Sequence, residues 1–378
     1  MRVLMSYEMF FPYHGGIESH IFYLSKALKE DGFDIELITS RLEDTKSFEK
    51  IKHLPVHRED SFGILEKTAK HKATRKFRQF FWAGVLFSKY AKYKDFDLMH
   101  AHLEPALMGT SYGKLLHHKP VVWTLHGTYY EVWNELVGPL NGTMYKAQQK
   151  LNTLFCPWDS MITADEFTKK LVSKWGVDPD RVTAIPNAID PSLFKPLKKE
   201  KQNKFTVLAP RRLVTKNGVH FLIEAARILK DEPIEFWLVG GGSLEKQYKE
   251  QAKGLKNVIF FGDKKNEEMP DFYRKADVVA IPSLAEATSI AGLEALAMGI
   301  PLITSDAGGL PEINIEGETG VLFKMRNVKQ LADKILYLKD NQQLLSKFGQ
   351  NGRKRVQKHH TWDVIAKKVE KVYEDTVK

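Results

Sequence analysis

Short apolar runs of β character alternate with amphipathic helical stretches along the chain, and no other feature restricts the fold as much. Residues 2–6, 34–39, 97–101, 121–125, 161–164 and 182–185 read as strands in the first half. Residues 205–209, 234–239, 258–261, 278–281 and 302–304 do so in the second. Helical patterns lie between them, among them 18–31, 218–230 and 269–275. Strands separated by helices imply parallel sheets covered on both faces. The stretch 186–203 holds Pro186, Pro191, Pro196 and the run Lys198-Lys199-Glu200-Lys201, the composition of a linker. At roughly 150 residues per domain, 378 residues make two domains. The expected fold class is therefore α/β: two Rossmann-like, doubly wound parallel-sheet domains facing a central cleft. They cover residues 1–186 and 187–361, with a final helix at 362–378. Ligands in such sheets sit at the carboxyl ends of strands.

Composition narrows the function classes. Charged residues, 28% of the chain, are spread along it, which argues against wholesale disorder. The single cysteine, Cys156, excludes an intramolecular disulfide and a thiolate metal cluster. The first apolar run ends at Glu8, too early for a signal-peptide core. The longest strongly apolar stretch, 80–87, is too short to span a bilayer. A cytoplasmic protein is expected. The net charge of +10 attracts polyanions without choosing among phosphates, anionic membrane and nucleic acid.

The most informative segment runs from residue 280 to 299. A buried strand ends at Pro282-Ser283, a loop carries Glu286, and Thr288 or Ser289 caps a new helix. The unpaired backbone N–H groups of that first turn offer a site for a diphosphate. Glu294, near the second turn, is placed to accept hydrogen bonds from vicinal ribose hydroxyls. On spacing alone the two glutamates fit a solvated surface somewhat better than a site. Gly15-Gly16 permits close approach of a phosphate or sugar, and also fits a plain tight turn. His126 follows the apolar strand 121–125 and faces the expected cleft. A lone histidine is otherwise more often structural, and His100 and His102, with no carboxylate or cysteine at matching spacing, read as structural rather than metal-ligating. Asp95-Phe96-Asp97 and Asp178-Pro179-Asp180 read as turns, not as a metal-holding Asp-x-Asp pair.

Taken together these segments resemble retaining GT-B glycosyltransferases of family 4, also called glycosyl transferases group 1. Glu286 and Glu294, followed by Ala-Leu-Ala-Met-Gly-Ile-Pro, resemble the family's signature. The stretch from Phe11 through Gly15 and Gly16 to His20 looks like its first glycine loop, and Thr124-Leu125-His126-Gly127 like its histidine motif. Residues 185–190 resemble the hinge and residues 211–218 the phosphate-binding motif. Gly308-Gly309-Leu310-Pro311-Glu312 and Gly317-Glu318-Thr319-Gly320 match later donor-site loops.

The resemblance implies an acceptor-binding first domain, a second domain that binds a UDP- or GDP-linked sugar, and a last helix that crosses back to the first. It implies hexosyl transfer with retention to a hydroxyl acceptor such as a lipid-linked sugar or a cell-surface glycan precursor. Arg212 and Lys216 would stabilise the leaving diphosphate, so that no metal and no cofactor is expected. Asn217 stands where the family commonly has lysine, and Lys216, one place earlier, serves instead. Glu286 would stabilise positive charge at the anomeric carbon, and His126 would contact donor or acceptor. Gly15, Gly16, Gly240, Gly262, Thr288, Ser289, Ile290 and Glu294 complete the implied donor site. A sugar-nucleotide epimerase and a non-catalytic two-lobed sugar-binding protein are the alternatives; nucleic acid is not an expected partner. One segment stands outside this scheme. Residues 71–94 read as a helix whose start clusters Lys72, Arg75, Lys76 and Arg78 beside aromatics. It packs on the first sheet or rests on an anionic membrane surface.

Overall fold

The computed structural model describes residues 1–12, 15–42, 45–59, 95–196, 200 and 202–378. The expected helix at 71–94 lies outside the described residues. One unit comprises Met1–Gly127, Met144–Pro186 and Trp362–Lys378; the other comprises Thr128–Thr143 and Asn187–Thr361.

In the first unit the described strands are β1 (Arg2–Ser6), β2 (Asp34–Ser40), β3 (Phe48–Ile51), β4 (Leu54–Glu59), β5 (Leu98–His102), β6 (Val121–Leu125), β7 (Ser160–Thr163) and β8 (Val182–Ala184). They form one sheet in the order β3-β4-β2-β1-β5-β6-β7-β8. Every pairing is parallel except β3 with β4. That hairpin departs from the all-parallel expectation. It turns through Lys52, at φ 55°, and His53, instead of the Gly or Asn that marks a hairpin in a sequence. The chain's last helix, Trp362–Val377, belongs to this unit: Lys367 pairs with Asp31 at 3.0 Å, and the Tyr373 hydroxyl lies 2.6 Å from His100 Nδ1.

The second unit holds β9 (Phe205–Pro210), β10 (Ile234–Val239), β11 (Val258–Gly262), β12 (Val278–Ile281), β13 (Leu302–Ser305) and β14 (Gly320–Phe323). Their order is β11-β10-β9-β12-β13-β14, all parallel. Successive side chains go to opposite faces: Val278 and Ala280 join one buried cluster, Val279 and Ile281 another. Both faces are covered, which is why these strands read as unbroken apolar runs. Thr128–Thr143 belongs here because Val132 packs with Leu284 and Ala285 in a small cluster of its own.

β9 lies between β10 and β12, so the chain leaves it in one direction and returns on the other side. The loops after β9 and β12 therefore meet at this switch point, the place at the carboxyl ends of the strands where open α/β sheets bind ligands in a crevice. In the first sheet β1 holds the same position between β2 and β5.

Candidate functional site

The loops after β9 and β12 are tied together by one side chain. Arg211, only 9% exposed, follows directly on Pro210. Its Nη2 donates to Ser283 Oγ at 2.7 Å, to Asn217 Oδ1 at 3.0 Å and to Glu286 Oε2 in a buried ion pair. Its Nη1 reaches Ser289 Oγ at 3.4 Å. Ser283 Oγ also donates to Glu286 Oε2, at 3.2 Å. Backbone contacts reinforce the link: Leu284 N donates to Lys216 O at 2.8 Å, and Gly309 N to Glu286 O at 2.9 Å. The loops approach so closely that a Cβ on Gly218 would lie 1.8 Å from Pro282 O, at a left-handed φ of 65°. A Cβ on Gly308 would lie 2.1 Å from Glu286 O.

Glu286 is thus a held carboxylate rather than a solvated one. Burial pushes its pKa up, but the charges of Arg211 and Lys216 and the hydrogen bonds from Arg211 and Ser283 outweigh it. The net shift is below the usual carboxylate range, so the group stays ionised. Glu294 is the opposite case. It sits 8% exposed on the Ile290–Ala297 helix, and its Oε2 accepts from the Tyr273 hydroxyl at 2.7 Å. Burial dominates and raises its pKa to about 7, against the lowering effect of that hydrogen bond. Ser289 is the cap of the helix and accepts from Gly292 N at 3.3 Å; Ile290 is the first helical residue. Thr288 Oγ1 instead accepts from Asn187 N at 3.2 Å.

The remaining second-unit candidates separate. Arg212 is exposed, while Lys216 is half-buried with Nζ 4.8 Å from the Tyr129 ring centroid. Asn217 is a strut: Oδ1 serves Arg211 and Nδ2 donates to Arg212 O at 2.8 Å. Gly240, at φ 137°, would place a Cβ 2.5 Å from Arg211 O, and its N–H donates to Gly262 O at 2.8 Å. Arg211, Ser283 and Tyr273 were not singled out from the sequence. Adjacent arginines after a strand buried on both faces give no periodic cue to which one turns inward.

In the first unit Gly15 caps the Gly16–Glu30 helix, accepting from Ser19 N at 3.2 Å. His126 follows β6 and its Nε2 lies 2.9 Å from His102 Nδ1 at the end of β5. The His20 ring, from that helix, stands 4.7 Å from the His126 ring. Burial, reinforced by neighbouring histidines, holds the pKa values of His102 and His126 well below the ordinary range, so both rings are neutral. His100 is structural, its ring nitrogens 2.6 Å from Tyr373 and from Thr124. The Asp-x-Asp strings do turn chemistry. Asp97 Oδ2 accepts from Arg2 N at 2.8 Å, just before β5 at the amino-terminal edge of the first sheet, and Asp178 caps Asp180 N at 3.0 Å.

Two family profiles match the chain nearly end to end. One, described as Glycosyltransferase Family 4, matches residues 14–193, and the other, described as Glycosyl transferases group 1, matches residues 192–355. An uncharacterized glycosyltransferase of Methanocaldococcus jannaschii is 28% identical over 99% of this chain and 98% of its own length. Among solved structures, sucrose-phosphate synthase from Thermosynechococcus elongatus superposes with a TM-score of 0.83 at 21% identity, covering 99% of this chain and 98% of that one. HepE of Anabaena in complex with UDP-glucose gives 0.74 at 18% identity, covering 99% and 100%. At these identities the structural likeness is one of fold.

Proposed function

This chain is a glycosyltransferase of family 4, group 1, with the GT-B fold, and from that premise we propose that it moves a hexosyl group from a UDP- or GDP-linked donor to a hydroxyl acceptor with retention. The observation that carries this reading is the buried Arg211–Glu286 pair, which fixes an ionised carboxylate beside the capped Ile290–Ala297 helix. The diphosphate would lie against the first turn of that helix, with Arg212 and Lys216 countering the charge that develops on it. Glu294 would take the ribose hydroxyls. The bond from the anomeric carbon to the diphosphate breaks as the acceptor oxygen attacks the same face. The acceptor's proton passes to the departing phosphate oxygen, and Glu286 offsets positive charge on the sugar. His126 would orient donor or acceptor. The second unit takes the donor and the first the acceptor, for which lipid-linked sugars and glycan precursors are the first classes to try. No metal or other cofactor takes part. A UDP-glucose complex of a protein with this fold supports a nucleotide-sugar donor.

The test is release of nucleoside diphosphate from a panel of UDP- and GDP-sugars, with and without acceptors and chelator. Glu286→Gln is expected to lose most turnover with donor affinity nearly kept, because its charge matters mainly in the transition state. Wild-type turnover in that variant contradicts the assignment. Donor isomerised without diphosphate release points to an epimerase, and donor bound but never consumed points to a binding protein.

A further inference from the structure

We propose that His20, His102 and His126 form a binding site for a late first-row divalent ion such as zinc. Each offers one ring nitrogen, and these atoms all lie within 4.8 Å of one another. The three are far apart in sequence and are gathered by the fold. His102 ends β5, His126 follows β6, and His20 comes from the helix that starts at Gly16. All three stand at the carboxyl-terminal edge of the first sheet. His20 and His102 are buried, at 6% and 0% exposure. His102 Nδ1 and His126 Nε2 face each other at 2.9 Å, a pair that only a shared proton can hold together and that a cation can hold in its place. Among the described residues His102 Nε2 has no hydrogen-bond partner, and it is the nitrogen that carries the ring's proton when Nδ1 is the ligand. His100 is not a ligand, because Tyr373 and Thr124 take both of its nitrogens.

The donor set chooses the ion. Imidazole nitrogens without a carboxylate suit zinc, copper, nickel and cobalt, and do not suit magnesium, calcium or manganese. The ion is therefore distinct in kind and place from one that would bind a diphosphate in the second unit. Three protein ligands leave a further position for water or a solute oxygen, as in an open zinc site. Coordination would also occupy the His126 nitrogen, so zinc should inhibit the enzyme; that consequence rests on the role proposed for His126, whereas binding itself does not.

Binding is read without donor or acceptor, so its failure and a failure of the proposed reaction are told apart. The untagged chain, freed of metal with chelator, is titrated with cobalt by visible absorption and with zinc by calorimetry. One saturable ion per chain is expected. His20→Ala and His126→Gln should each weaken it by at least the roughly tenfold that even outer-shell losses cost, and His117→Ala with His118→Ala should not. X-ray absorption on the zinc-loaded wild-type chain, which needs no variant, should show three imidazole nitrogens. Absence of saturable binding, unchanged affinity in both ligand variants, or fewer than three imidazoles overturns the proposal.

Discussion

Arg211 donates from one buried guanidinium to Ser283, Asn217 and Glu286, while its chain neighbour Arg212 is exposed. The two arginines therefore answer to different measurements. Arg211→Ala strands a buried carboxylate and should lower the unfolding free energy in urea by about 3–5 kcal/mol. Arg212→Ala should leave stability within about 0.5 kcal/mol yet weaken nucleoside diphosphate binding about tenfold to a hundredfold. Equal stability losses would contradict this division of roles. Glu294 carries a pH signature. Its carboxyl keeps a proton up to about pH 7 in the folded chain, whereas an unfolded one releases it near pH ~4.3. Between those values the folded state binds more protons, so stability falls as pH rises, by about 4 kcal/mol in all. Glu294→Gln should remove that slope in urea unfolding. If ribose hydroxyls donate to Glu294, they require its ionised form. Nucleotide affinity should then rise with pH through about 7 with proton release, seen by calorimetry in two buffers, and a flat affinity across that range argues against the ribose contact.

At the scale of elements, the crevice depends on loops that approach to backbone contact. Gly218→Ala combines left-handed strain of about 1–2 kcal/mol with a collision against Pro282 O. Gly254, at φ 82° with no atom of the described residues within 4 Å of an added Cβ, supplies the strain alone. Urea unfolding should therefore show Gly218→Ala losing clearly more than Gly254→Ala, with donor binding impaired only in the former; equal losses would mean that the loops have room to separate. The same elements show what the sequence made legible. Buried parallel strands such as Val121–Leu125 and Val278–Ile281 stand out as apolar runs, and Gly218 and Ser289 mark helix starts, so the sheets were readable, whereas the glutamate pair stands out only through the family resemblance. β14 and the β3–β4 hairpin were not. Gly320–Phe323 is short and enters behind a turn, and Phe48–Ile51 is an exposed edge strand with charged residues. The alternation in Leu54–Glu59, buried at every second residue, was the signal that was available. The histidine cluster was hidden for another reason: only the order β1-β5-β6 brings His20, His102 and His126 together.

For the whole molecule, the charge of +10 is the relevant quantity. No described helix is long and apolar enough to cross a membrane. Peripheral docking through Lys72, Arg75, Lys76 and Arg78, at roughly 1 kcal/mol each, remains a proposal about residues outside the described ones. Co-sedimentation should show binding to anionic but not neutral vesicles, weakened by salt and lost when all four are made glutamine. Indifference to anionic vesicles at low salt would direct the search for acceptors to soluble molecules. The central claim is narrower: a nucleoside diphosphate is held at the crevice between β9 and β12. Thermal unfolding in the presence of UDP, GDP, ADP and TDP tests it most directly, because a ligand that binds only the folded chain raises the midpoint with concentration. At least one of the four should raise it saturably, with the effect diminished in Arg212→Ala and in Glu294→Gln. No shift with any of them, or a shift unchanged in both variants, would contradict the account.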